Sequence, residues 1–440
     1  MLSESSPHNL TPPTVFFIFI HKICGQNTFA LKLLFFTDFR CSCLTLGAQV
    51  VGKIYIRKYP SYSDYMLSDE RSLPVCCYCG ACYETVSDFD RYKDVEIMLE
   101  KGCGGLASSG ACFSFCPKSF SRCGLCENSC PREGFGGCDL TPKYFEGSPF
   151  VGIGYHSQIV AARATHREIH RNGQSGGVVT AILNALLADE KIDAAVVADR
   201  TDDWRNEPKV AKDQNEVLTS MGSKYTVCPS IKGVWKAIRA GFKQIALVGM
   251  PCNIEAMRML QALEGSDYSA GCERVTLMIG LFCTEGFYYD QLVEALSSRG
   301  IAIEDVLKFT VYKGKLLVRT SNKELEIPMK ELECAVRDSC RVCMDFASEL
   351  ADISAGSVGS EDGWTTLIIR TQRGEDVLKF VESRGSIETR AIDDKSIEAI
   401  RRLAFKKKRM NYGGWMEQVK RCNACLTTPM PFVATELYQL

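Results

Sequence analysis

The chain has 440 residues, room for two to four compact units with a substantial core. Its 52 Lys and Arg balance 53 Asp and Glu to a formal charge of -1, which removes any general electrostatic case for a nucleic-acid or anionic-membrane partner. Against 5 histidines stand 23 cysteines, a ratio that asks for thiolate chemistry, and the length argues against a small secreted disulfide framework.

Residues 1–65 show no turn-punctuated periodicity. The apolar stretch Val15 to Ile20 ends at His21 and Lys22, too short to span a membrane, and no small-residue cleavage site follows. No integral membrane span is expected, and the cysteine groups further on suit a reducing, cytoplasmic setting. Cys24, Cys41 and Cys43 lack a partnering motif. The segment is expected to stand outside the working fold, as a disordered extension or a start-site artefact, with Met66 as a natural beginning; an amphipathic arm docked on the core is the alternative.

Residues 66–149 are rich in Cys and Gly and read as a small ferredoxin-like domain held by metal rather than by apolar burial. A 4Fe-4S site draws three thiolates from one tight loop and a fourth before proline, in the run C-x2-C-x2-C-x3-C-P. Cys76, Cys79 and Cys82 keep the first spacing, Cys112 and Cys116 precede Pro117, and Cys123, Cys126 and Cys130 precede Pro131. These eight suffice for two clusters. Phe120 stands where the second run expects its first Cys, and Cys77, Cys103 and Cys138 are possible substitutes. Zinc knuckles are the competing reading.

Residues 150–440 alternate apolar strands with amphipathic helices, a pattern of α/β architecture. Strands are expected in SQIVAARAT, IDAAVVADR, KQIALVGM and VTLMIGLFC, and helices in GVVTAILNALLADE and IEAMRMLQALE. The runs Ile245 to Val248 and Val275 to Phe282 suit strands covered on both faces. Past Asp305, three short strands suggest a β-rich insertion, after which the chain returns through TTLIIRT to a basic helix, Ile397 to Arg409. The fold class expected is therefore mixed, α+β and α/β: a ferredoxin-like N-terminal domain, then an α/β domain with a β-rich insertion.

Cys252 and Cys283 each follow an apolar strand, at the carboxyl edge where open α/β sheets place their sites, and Cys340 and Cys343 form a C-x-x-C. These four can converge or be ordinary buried cysteines, the reading preferred for Cys228, Cys272 and Cys334. Cys422 and Cys425 form a lone C-x-x-C. Gly173, Ser175, Gly176 and Gly177 precede an apolar helix, and Gly356, Ser357, Gly359, Ser360 and Gly363 lie between two strands. Each loop is either a tight turn or a backbone cradle for a large phosphate-bearing cofactor.

From about Cys76 to Arg409 the chain resembles the beta subunit family of coenzyme F420 hydrogenases and dehydrogenases. The resemblance rests on NGQSGGVVTAIL (172–183), GSKYT (222–226), VGMPCNIEAMR (248–258), IGLFCTEGF (279–287) and CRVCMDFASELADISAGSVGSEDGW (340–364). It implies FAD between the glycine loops, with Gly173, Ser175, Gly176, Gly177, Ser223, Lys224 and Tyr225 on one side and Gly356, Gly359, Gly363 and Trp364 on the other. It also implies a 4Fe-4S site at Cys252, Cys283, Cys340 and Cys343, for two or three clusters in all.

Flavin accepts a hydride and releases single electrons, so the resemblance implies hydride exchange between coenzyme F420 and FAD. Clusters would then carry electrons to ferredoxin or to a redox subunit of hydrogenase, dehydrogenase or heterodisulfide reductase type. Lys224 is the candidate catalytic residue, a positive charge that stabilises anionic reduced flavin; the bland alternative is a surface lysine. The competing functions are a reductase of the same scaffold acting on another substrate with ferredoxin as donor, and an electron relay without a substrate pocket.

Overall fold

The computed structural model describes residues 17–22, 29–37, 40–44, 141–145, 152–262 and 271–421. The segment expected to be ferredoxin-like, with Cys76, Cys79, Cys82, Cys112, Cys116, Cys123, Cys126 and Cys130, and the pair Cys422 and Cys425 lie outside these residues. The chain divides into two compact units, residues 1–64 and 65–440. In the first, β1 (Phe17–Lys22), β2 (Phe29–Thr37) and β3 (Arg40–Leu44) form an antiparallel sheet in that order, with Phe17 opposite Leu34 and Thr37 opposite Arg40. Sequence periodicity gives no sign of these strands, because the unbroken run Leu33 to Phe36 lacks the alternation that marks a half-buried strand.

In the larger unit the chain passes through α1 (Thr141–Tyr144), β4 (Gln158–Ala164), α2 (Arg167–Asn172), α3 (Val178–Ala188), β5 (Ala194–Arg200) and β6 (Asn206–Ala211). There follow α4 (Gln214–Thr219), α5 (Ser230–Arg239), β7 (Ile245–Gly249), α6 (Pro251–Ala262) and β8 (Val275–Leu281). An insertion carries α7 (Tyr289–Ser297), β9 (Val306–Tyr312), β10 (Lys315–Thr320) and β11 (Glu324–Pro328). The chain closes with β12 (Ile353–Gly356), β13 (Thr365–Ile369), α8 (Gln372–Ser383), β14 (Ile387–Ala391) and α9 (Asp394–Arg421).

Eight strands form one mixed sheet, in the order β14-β4-β13-β12-β8-β7-β5-β6. The central β12, β8, β7 and β5 are parallel, and β6 closes one side antiparallel. On the other side β13 is antiparallel to both β12 and β4, so β4 runs in the same sense as the central four. Every residue of β7 is buried, as its continuous apolar run requires. Alternate residues feed two cores: Ala246 and Val248 pack with Ile182 and Leu186 of α3, whereas Ile245 and Leu247 pack with Trp235 of α5 and Met257 of α6.

Local signals agree with these boundaries. Pro251 opens α6, where a missing N–H costs nothing. Asp213 and Thr371 cap α4 and α8 by accepting from the Glu216 and Gly374 amides. A buried ion pair joins the layers: the Arg258 guanidinium donates to Asp352 at 3.0 Å, and that carboxylate also accepts from Thr371 Oγ1 and the Met278 amide. The insertion is a separate antiparallel sheet, β11-β10-β9, whose core around Phe309, Leu316 and Val318 also takes in Trp204 from the β5–β6 connection.

Candidate functional site

Because β4, β12, β8, β7 and β5 point the same way, the loops after them collect on one edge of the sheet, the edge favoured for ligands in open α/β folds. Two features are built there. One is a cavity of about 180 Å³ lined by Arg171 and Asn172 at the end of α2, Arg200 at the end of β5, Ser223 and Lys224, and Lys308 and Arg319 of the insertion. Five cations face this cavity, and among the described residues no carboxylate lines it.

Lys308 and Arg319 stand directly opposite each other across β9 and β10. Like charges so paired are destabilising unless an anion shares them. Lys308 also donates to the Gly173 carbonyl at 3.0 Å, which joins the insertion to the first glycine loop. Arg200 lies over the Trp204 ring at 4.0 Å. Burial holds the Lys224 ammonium group down to about pKa 8, an effect that Asp199 partly offsets. Its Nζ donates to the Ser220 carbonyl. Burial would raise the Asp199 carboxyl, but hydrogen bonds from the Arg200 amide and Lys209, with the charge of Lys224, hold it below its usual range.

The glycine loops touch each other. Ser175 has φ 46° and Gly176 has φ 93°, and a Cβ on Gly176 would lie 2.7 Å from the Gly363 carbonyl oxygen. Thr365 Oγ1 donates to the Ser175 carbonyl, and a His170 ring nitrogen lies 3.0 Å from the Gly363 carbonyl. Gly356 is forced by the Phe282 ring, with which a Cβ would overlap. Two guanidiniums lie over the Trp364 ring, Arg163 at 4.6 Å and Arg390 at 4.1 Å from its centre. Close packing of backbone on backbone therefore accounts for Gly176, and packing against an aromatic ring for Gly356. In the first loop the buried Gln174 Oε1 has no hydrogen-bond partner among the described residues.

The second feature is a set of thiols. Cys252 lies in the first turn of α6, Cys283 two residues past β8, and Cys340 and Cys343 in and just after the 3-10 turn Asp338–Val342. Burial raises the Cys283 and Cys340 thiols, and each also feels the charges of other cysteines of the set. The Gly286 N–H donates to Cys340 Sγ at 3.3 Å. On the outer side, α9 supplies Lys407, whose Nζ donates to the Cys283 and Asp345 carbonyls at 2.8 and 2.7 Å, and Asn411, which donates to the Cys340 and Cys343 carbonyls, both at 2.7 Å. Among the described residues no three His, Cys, Asp or Glu side chains close at the spacing of a single bound ion. Four soft thiols on three segments are the donor chemistry of an iron-sulfur cluster or a tetrathiolate zinc.

The two features share backbone. Thr226 and Phe287 form a β-bridge, Phe287 bridges Val336 in turn, and the Phe287 amide donates to the Tyr225 carbonyl at 2.9 Å. Tyr225 is not among the residues lining the cavity, and its hydroxyl accepts from the Val311 amide at 2.9 Å. Cys334 is a correction, exposed rather than buried, because its 3-10 turn, Met329–Ala335, turns it away from Leu332 and Ala335. Cys272 is buried as expected, and burial pushes its thiol up to about 12. Cys228 is half-buried by surface, with its thiol likewise pushed up to about 12 by burial. Sequence reasoning missed Arg171, Arg200, Lys308 and Arg319, which converge from four elements, and Lys407 and Asn411.

Comparison with known proteins defines the class. Two family models described as coenzyme F420 hydrogenase/dehydrogenase beta subunit match the chain, the N-terminal one over residues 159–234 and the C-terminal one over residues 242–395. The chain belongs to this family, whose relatives are oxidoreductase subunits. It is 36% identical to the coenzyme F420 hydrogenase subunit beta of Methanothermobacter thermautotrophicus, over 55% of this chain and 87% of that one. It is 34% identical to a coenzyme F420-dependent sulfite reductase of Methanocaldococcus jannaschii, over 69% of this chain, and spans about half of that relative's length, 49%. A chain in a xenon-derivatised structure of the F420-reducing [NiFe] hydrogenase complex from Methanosarcina barkeri aligns with TM-score 0.59 and 31% identity, covering 62% of this chain and 95% of that one. Among the described residues no helix is long and apolar enough to cross a membrane.

Proposed function

We propose that this protein exchanges a hydride between coenzyme F420 and FAD and passes electrons, through the four-thiol site and the N-terminal cysteine domain, to a redox partner. The observation that carries the reading is the pairing of a cavity lined by five cations with a thiol set on one sheet edge, joined by the strip Tyr225–Phe287–Val336. A relay alone has no use for a cavity lined by five cations.

Arg171, Arg200, Lys308 and Arg319 would hold the phosphates of a dinucleotide or of a deazaflavin cofactor, as multiple fixed cations do for phosphoryl oxygens. The unpartnered Gln174 Oε1 supplies a free acceptor in the adjoining loop. A cavity of about 180 Å³ has room for the phosphate part of such a cofactor, not for all of it. A bound flavin supplies the exchange between two-electron and one-electron chemistry. Lys224 keeps its proton below about pH 8 and places a positive charge beside the anionic ligand. Cys252, Cys283, Cys340 and Cys343 would hold a 4Fe-4S cluster.

The test is anaerobic purification of the full chain, extraction of flavin, and reduction of a viologen dye by reduced coenzyme F420. Stoichiometric FAD with F420-dependent dye reduction is the expected result. Absence of flavin together with stoichiometric zinc would overturn the reading, and dye reduction from ferredoxin alone would favour the competing reductase.

A further inference from the structure

Nearly all of α9 lies beyond residues 242–395, where the family match ends, yet it presents one stripe to the thiol loops. Lys407, Asn411 and Gly414 are spaced four and three residues apart, which puts them on one helix face. Lys407 touches the carbonyls of Cys283 and Asp345, and Asn411 those of Cys340 and Cys343. At Gly414 a Cβ would come 3.0 Å from the Arg341 carbonyl, so the helix rides directly on the turn that carries both cysteines.

We propose that Lys407 is the charge-balancing and positioning residue of the four-thiol site: its ammonium group, fixed on the Cys283 and Asp345 carbonyls, sets the reduction potential of the centre those thiols hold. The proposal rests on the proposed iron-sulfur function of these cysteines. Lys407 is 7% exposed, a burial that a lysine tolerates only against compensating negative charge. Lys408, also buried, is already neutralised by Glu349 at 2.6 Å. Of the other charges near the site, Lys406 is exposed and Glu285 is half-buried, with its carboxyl raised by burial against the pull of Lys407 and Arg341.

Four thiolates and their iron gain one negative charge when one electron enters, and no bond or proton need move. A buried cation whose proton stays in place favours the reduced state, and removing it lowers the potential.

The experiment uses the full chain, purified without oxygen, as wild type, Lys407→Gln, Lys407→Arg and Cys343→Ser. Iron and acid-labile sulfide are measured, followed by a potentiometric titration with dithionite and redox mediators read by electron paramagnetic resonance. The relevant signal is the one that Cys343→Ser removes. Lys407→Gln is expected to keep it with a reduced-to-oxidised ratio about tenfold lower at fixed potential, about 59 mV for one electron, and Lys407→Arg to restore it. Loss of the signal in Lys407→Gln with retention in Lys407→Arg also supports a role for the charge. An unchanged midpoint in Lys407→Gln, or equal loss in both variants, overturns it. If wild type shows no signal that Cys343→Ser removes, the iron-sulfur reading itself has failed, a result distinct from an unmoved midpoint.

Discussion

The Phe287 amide donates to the Tyr225 carbonyl at 2.9 Å, and this bond ties the loop that carries Lys224 to the loop that runs from Cys283 through Gly286. Gly286 in turn donates to Cys340 Sγ. An anion in the cavity and a group on the thiols would thus sit on two sides of one hydrogen-bonded strip.

Anion binding to the cavity should fall as pH rises through about 8, because the Lys224 ammonium loses its proton there in the ligand-free protein. Folding has the opposite sign: with the folded pKa below that of an ordinary lysine, the unfolded chain binds more protons between the two values, and stability rises with pH across that window. Calorimetry with inorganic pyrophosphate below and above about pH 8 checks the first effect. A slope that persists in Lys224→Gln would show that another group is responsible.

Lys308→Ala should weaken pyrophosphate binding at least tenfold while leaving the fold as stable or more so, since it relieves the like-charge pair with Arg319. Thermal melts beside the binding titrations separate these outcomes. A melting temperature that falls with affinity unchanged would mean that Lys308 serves only to hold the Gly173 carbonyl.

Gly176→Ala should cost roughly 1–3 kcal/mol of stability, because alanine must adopt φ near 93° with its Cβ against the Gly363 carbonyl. Urea unfolding measures it. A neutral substitution would indicate that the two glycine loops part readily, and would support a ligand inserted between them.

Arg258→Met should destabilise the protein by about 3–5 kcal/mol, since Asp352 is left buried without its cation. The double variant with Asp352→Asn should recover part of that loss. A cycle with no coupling energy would refute the importance of this pair.

The parallel core was legible because Ile245 to Val248 and Val275 to Phe282 are apolar on both faces, and Cys252 and Cys283 were placed at the sheet edge by following those strands. The basic cavity was not legible. Lys308 and Arg319 each look like a solvated strand residue, and only the β9–β10 register sets them opposite each other. Lys407 was hidden for a related reason: a run such as Lys406 to Arg409 reads as a wet face, yet Lys407 and Lys408 are buried while their neighbours are exposed. Gly176 and Gly356 stood out as special, but sequence alone does not separate a glycine that admits a ligand from one that admits its own chain.

The insertion between β8 and β12 also separates the thiols along the chain. Cys252 and Cys283 precede the three-stranded sheet, whereas Cys340 and Cys343 follow it. Closing that long loop is entropically costly until the intervening sheet has shortened the distance. A group held by all four thiols would therefore find its donors complete only once the insertion is in place.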